Sequence, residues 1–120
     1  MEYDKEFGDF LRAKREERRI NSYKMGDLMG ISKGYYCDFE NYREIPPEHH
    51  LEKIIKILCL SKEDEAALLY LAKKAKKKVP PDMADYIMKN QVVYAAFREA
   101  MDKAVPEDWV EFKEKLNNKE

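Results

Sequence analysis

The chain has 120 residues, 44% hydrophobic and 39% charged, with 23 Lys and Arg against 24 Asp and Glu. That length suits one domain, or a small domain with an extension, burying roughly two-thirds of its unfolded surface. A net charge of -1 excludes sequence-blind nucleic-acid binding through bulk positive charge, so any nucleic-acid role needs a local arrangement of charge.

From Asp4 to Arg19 the residues Phe7, Phe10 and Leu11, with Ile20 beyond, mark one side of a helix. The opposite side carries Arg12, Lys14, Arg15, Arg18 and Arg19. Asn21 or Ser22 is placed to cap a short second helix through Met29. Gly30 stops it, and Ser32 opens a third helix reaching about Asn41. Pro46 and Pro47 suit the start of a fourth, whose Leu51, Ile54, Ile55 and Leu58 recur at i, i+3, i+4 and i+7. Ser61 with Asp64 resembles a capping box with the acid shortened by a methylene, opening a fifth helix with Leu68, Leu69, Leu71, Ala72 and Ala75 inward. Its end, Lys73, Lys74, Lys76, Lys77 and Lys78, reads as a solvated last turn favoured by the helix dipole, or else as a patch for an acidic partner. Val79-Pro80-Pro81 breaks the chain, dividing residues 1–78 from an extension, 79–120. The extension reads as three helices: Asp82 to Asn90, a stripe of Val92, Val93, Ala96, Phe97, Ala100 and Met101, and then Trp109, Phe112 and Leu116. With no strand-like alternation and no repeat, the fold class expected is all-α.

A short helix, Gly30, and a helix opening on serine have the geometry of a helix-turn-helix, which needs a small residue where the helices cross and a glycine at the turn. Gly26 is the small residue, and Met25, Met29, Ile31, Tyr36 and Phe39 hold the inward positions. On these residues the chain resembles the lambda-repressor-like, or XRE-type, family of DNA-binding domains. The resemblance runs from about Phe7 to Leu60, through Leu-Met-Gly-Ile-Ser-Lys-Gly-Tyr-Tyr, through Phe39-Glu40-Asn41 and to the proline before the fourth helix. It implies an all-α helix-turn-helix domain, a structural ion pair between Arg15 and Glu40, and a third helix lying in the major groove. By the family register the groove face is Ser32, Lys33, Gly34, Cys37 and Asp38.

Lys33 can donate to guanine O6 and N7, and Asp38 can accept from a cytosine amino group or else weaken DNA binding by repelling phosphates. Gly34 either lets the backbone approach DNA or is simply a tolerated first-turn glycine. Ser22 and Tyr23, at the start of the second helix, suit phosphates, because helix N-termini and hydroxyls favour anions. Tyr35 is read as a phosphate contact or as half-buried packing. Asn41 and Arg43 match backbone-gripping positions of the family. Tyr42 stands where the family commonly has a left-handed glycine, so the loop after the third helix is expected to take another shape.

Cys37, Cys59, His49 and His50 fit no zinc spacing, and no metal or cofactor is expected. The register turns Cys37 toward DNA, but a redox role there lacks a nearby second thiol. Cys59 reads as a small core or boundary residue, and His49 and His50 as a solvated first turn. Two cysteines are too few for a disulfide scaffold, the N-terminus is charged from its second residue, and no apolar run approaches a membrane span, so a cytoplasmic setting away from membranes is expected. With no catalytic motif or phosphate loop, the chain is not expected to be an enzyme. The expected function is a sequence-specific DNA-binding repressor, a homodimer on a two-fold site with the extension as subunit contact. The alternative is an antitoxin or adaptor that binds a partner protein through its C-terminal helices.

Overall fold

A computed structural model, described from residue 2 to residue 119, is all-helical, with no strand among the described residues. The helices are α1 (Lys5–Glu17), α2 (Ser22–Met29), α3 (Lys33–Glu40), α4 (Glu48–Ile57), α5 (Lys62–Lys76), α6 (Pro81–Lys89), α7 (Gln91–Lys103) and α8 (Pro106–Asn117). They fall into two units that meet between Val79 and Pro80. No helix among the described residues is long and apolar enough to cross a membrane.

In the first unit one core gathers the apolar stripes of five helices: Phe7 and Leu11, Met25 and Met29, Tyr36 and Phe39, Leu51 and Ile54, and Leu68 and Ala72, with Leu58 and Ile45 closing it. Each large side chain so buried contributes about 1.5–3 kcal/mol relative to exposure. Short polar side chains start the helices. Asn21 Oδ1 accepts from the Lys24 amide at 2.8 Å, so Asn21, not Ser22, is the cap of α2. Ser32 Oγ accepts from the Tyr35 amide and Ser61 Oγ from the Asp64 amide, both at 3.1 Å.

Three expectations are corrected here. Helix α1 ends at Glu17 rather than Arg19, because Arg19 turns left-handed at φ 56°. Leu69 is 36% exposed rather than inward, since α5 turns Leu68 and Ala72 into the core and packs Leu71 and Ala75 at its margin. Cys59 is exposed at φ 49°, one step past the end of α4, where the backbone has already turned away from the core.

The second unit is built differently. Helix α6 packs along α7. The ring of Phe97 on α7 meets that of Trp109 on α8 edge-on at 5.7 Å, and Trp109 meets Phe112 at 6.4 Å. Proline starts both α6 and α8, and Asp108 holds the entry of α8 by accepting from the Val105 amide at 3.0 Å. No residue of α6, α7 or α8 is buried.

Candidate nucleic-acid interface

Helices α2 and α3 cross at a spot where a side chain would crowd the backbone. A Cβ on Gly26 would lie 3.1 Å from the Ile31 carbonyl oxygen and 3.3 Å from the Lys33 amide nitrogen. The turn between the helices is closed by Gly30 at φ 73°, a left-handed conformation that glycine adopts without steric penalty. The inward side of α3 is then fully used: Tyr36, Phe39 and Glu40 are buried. Its other side carries Lys33 and Gly34, exposed, and Cys37 and Asp38, half-buried, at i, i+1, i+4 and i+5. A Cβ at Gly34 would meet nothing within 4 Å, so the fold does not require glycine there.

The residues around this face divide into free and occupied. Ser32 is exposed, its hydroxyl serving as the cap of α3. Tyr23 is exposed at the start of α2, beside a half-buried Ser22. Tyr35 is half-buried, with its ring edge-on to Phe39 at 4.8 Å and to His50 at 5.8 Å. Asn41 caps the C-terminus of α3, and its Oδ1 accepts from Arg12 Nη2 at 3.2 Å. Arg43 is exposed and lies 3.6 Å from the Asp38 carboxylate, so these two outward residues of opposite assignment face each other.

Behind α3, Glu40 is the focus of a charged cluster. Arg15 grips it with two bonds, Nε to Oε2 at 2.6 Å and Nη2 to Oε1 at 3.0 Å. Arg15 Nη1 also donates to the Ile20 carbonyl at 2.8 Å, fixing the turn after α1. Arg12 adds a longer contact, Nε to Glu40 Oε1 at 3.4 Å. Burial alone would raise the Glu40 pKa; the bonds from Arg15, with a smaller one from Arg12, outweigh it, so the carboxyl titrates below the ordinary glutamate range. Burial first, and the neighbouring carboxylate second, push the Tyr36 phenol well above the usual tyrosine range. The cluster ties α1 to α3.

The loop after α3 corrects the expectation set by Tyr42. This tyrosine does take the left-handed conformation, at φ 68°. The strain, roughly 1 kcal/mol or more, is offset by what the side chain touches. The Tyr42 hydroxyl donates to Asp9, the Lys5 ammonium sits 5.7 Å from the ring centre, and the Tyr42 carbonyl accepts from the Tyr3 amide at 2.6 Å. Beneath the ring lies Gly8, where a Cβ would come within 2.9 Å of Tyr42 and 2.5 Å of the Glu40 carbonyl oxygen. Sequence reasoning passed over Gly8, although a glycine inside a helix costs about 1 kcal/mol against alanine and so signals a close approach.

The basic side of α1 is also corrected. Four of its five cations, all but the exposed Arg19, are engaged within the fold. Arg12 and Arg15 serve Glu40, Lys14 pairs with Asp64 at 2.9 Å and Glu17 at 3.2 Å, and Arg18 donates to the Leu58 and Cys59 carbonyls at 2.8 and 3.1 Å. Arg18 thereby satisfies carbonyls left open at the end of α4. Lys53 does the same for α2, donating to the Met29 carbonyl at 3.2 Å. No pattern in the sequence announces these two contacts, because each joins a side chain to a distant backbone oxygen.

His50 departs from the solvated reading too. It is half-buried, its ring tilted against those of His49 at 4.1 Å and Phe39 at 6.4 Å, and burial first, then His49 and Lys53, lower its pKa. No group of three metal-ligating side chains forms among the described residues. Comparison of the chain with protein-family models, with curated proteins and with solved structures finds no match.

Proposed function

We propose that this protein is a sequence-specific DNA-binding regulator, acting as a repressor, that inserts α3 into the major groove of a two-fold site as a homodimer. The observation that carries the reading is the division of α3. One side is consumed by the core and the Arg15–Glu40 pair, while the other carries Lys33 and Gly34, exposed, and Cys37 and Asp38, half-buried, outside the core. Glycine at the crossing with α2 supports the same reading, since it lets a second helix brace the first turn of α3 from behind. In this lambda-repressor-like reading Lys33 and Asp38 read base edges, while Ser22, Tyr23 and Arg43 flank them toward the phosphates.

Selection of bound sequences from a random duplex pool, followed by band-shift titration in rising salt, tests the proposal. A two-fold consensus is expected. Lys33→Ala should relax sequence choice, whereas Arg43→Ala should weaken binding to all sequences and flatten the salt slope. Equal weak binding to every duplex, unchanged by either substitution, would sink the idea.

A second reading, an adaptor or antitoxin on the same scaffold, is favoured by one observation: four cations of α1 are committed internally, which thins the positive field that DNA would meet. In that case a different protein co-purifies through residues 80–120 and the duplex pool yields no consensus.

A further inference from the structure

The lysine run at the end of α5 is largely uncompensated within the first unit. Residues 73–78 hold five lysines and Ala75, and the chain has no acidic residue between Glu65 and Asp82. Of these five, Lys74 meets a carboxylate, Glu6 at 3.0 Å. Lys73, Lys76, Lys77 and Lys78 have none within 4.0 Å among the described residues. The helix dipole favours cations in the last turn. It does not account for Lys77 and Lys78, which lie past the end of α5, and Lys77 holds a left-handed φ of 55° where glycine is the ordinary occupant. Lysines three and four positions apart on a helix also repel one another.

Beside the run, α4 and α5 enclose a notch of about 40 Å³, floored by Leu51, Leu69 and Ala72 and edged by Lys73 and Lys76. Both lysines are half-buried, so their stems line the notch while their ammonium groups stay unpaired. A water needs about 10–15 Å³ by the same measure, so the notch takes about three heavy atoms, the branched end of a valine or leucine. An apolar seat between two unpaired cations is complementary to an apolar side chain between two acids.

We propose that this surface docks an acidic segment of a partner protein. A valine or leucine of that segment enters the notch, carboxylates before and after it meet Lys73 and Lys76, and Lys77 and Lys78 take further acids. A nucleic acid fits less well. Lys74 and Lys76 are two positions apart, on opposite sides of α5; Glu6 holds Lys74 on one side, and Glu48 lines the notch on the other. A phosphate strand crossing the patch would meet a carboxylate at either edge and has no group for an apolar notch. A peptide has such a group, and its backbone N–H groups can donate to Glu48. The docking uses no residue of the α2–α3 face and does not depend on the DNA-binding reading.

Fluorescence anisotropy of the full chain with a labelled peptide, Glu-Asp-Glu-Leu-Glu-Asp-Glu, tests it, beside the same peptide with alanine for leucine and a labelled random duplex. At low salt the leucine peptide should bind with a dissociation constant of about 10–100 μM, and the alanine peptide several-fold more weakly. Lys73→Gln with Lys76→Gln removes two ion pairs and should weaken the leucine peptide about tenfold. Glutamine keeps the helix, which unchanged far-ultraviolet dichroism checks. Lys56→Gln with Lys89→Gln removes the same charge from exposed sites elsewhere and should change little. No binding of the leucine peptide at hundreds of micromolar overturns the proposal, as does equal binding of the two peptides or an equal loss in the two double variants. A duplex that loses as much affinity as the peptide on Lys73→Gln with Lys76→Gln also overturns it, since the lysines would then serve a nucleic acid.

Discussion

Replacing Glu40 by glutamine tests whether the charged cluster behind α3 holds the first unit together. Glu40 and Arg15 side chains are only 6% and 14% exposed. An amide offers one oxygen where the carboxylate offered two, so one of the two Arg15 bonds is lost and an N–H group is turned toward a guanidinium. Breaking a buried pair by removing one partner costs about 3–5 kcal/mol. The low end applies, about 3 kcal/mol, because Arg15 keeps its bond to the Ile20 carbonyl and Arg12 can turn to water. For a unit of this size that is a fall in Tm of about 12–24 °C, read by circular dichroism at 222 nm. Replacing both partners, Arg15→Met with Glu40→Leu, should recover much of the loss, since a buried pair is often close to neutral against apolar residues of similar volume. The difference between parent and Glu40→Gln should also shrink in acid. Unfolded Glu40 takes up a proton that the folded carboxyl, with its depressed pKa, resists, so the stabilisation is present above the ordinary glutamate value of about 4.3 and is lost as pH falls below it. A Glu40→Gln variant within about 1 kcal/mol of the parent, below the range for a broken buried pair, or a double variant less stable than the single, would refute the reasoning.

Gly8→Ala should destabilise by more than about 2 kcal/mol, because its methyl group meets the Glu40 carbonyl, whereas Gly34→Ala should be neutral or stabilise by up to about 1 kcal/mol; urea unfolding of the two variants checks both. His50 has a lowered pKa, so its protonation favours unfolding: stability should fall as pH drops below about 6.5, and His50→Leu should flatten that part of the profile in urea titrations at pH 7 and pH 5. Asp38→Asn releases Arg43 and removes a carboxylate from the outward face of α3, so binding to random duplex should tighten several-fold and its salt slope steepen, as read by fluorescence anisotropy.

The helices were legible in the sequence because their signals are local. A capping side chain, a glycine or proline stop and a repeat of apolar residues sit within a few positions of one another, as at Ser32, Gly30 and Leu51 to Leu58. The pairing of Arg15 with Glu40 and the outward position of Lys33 came from a family register, not from periodicity, and the structure sets the two charges 2.6 Å apart. What stayed illegible depends on contacts across the fold. A helical plot puts Arg12, Lys14, Arg15 and Arg18 on a solvent side, yet α3, α4 and α5 close over that side and bring acceptors to each of them. Tyr42 was misread for the same reason. Its backbone preference is local and argues against a left-handed turn, while the surface that offsets the strain comes from Lys5, Gly8 and Asp9, more than thirty positions earlier in the chain.

This use of cations bears directly on how the protein could hold DNA. Residues 1–45 contain nine basic and ten acidic groups, and four α1 cations are already engaged within the fold, Arg15 in a buried pair and Arg12, Lys14 and Arg18 in more exposed contacts. Around the α2–α3 face there remain Lys24, 4.0 Å from Asp27, Arg43, 3.6 Å from Asp38, and Lys33, which has no acid within 4.0 Å among the described residues. Three contacts on each half of a two-fold site would give a salt slope no steeper than about -5. One copy alone would have about half that slope and little hold on random duplex. Selectivity in such a protein has to come from base contacts made twice. Any change that turns the proposed homodimer into a monomer should therefore reduce DNA affinity far more than Arg43→Ala does, as read by band shift beside sedimentation equilibrium.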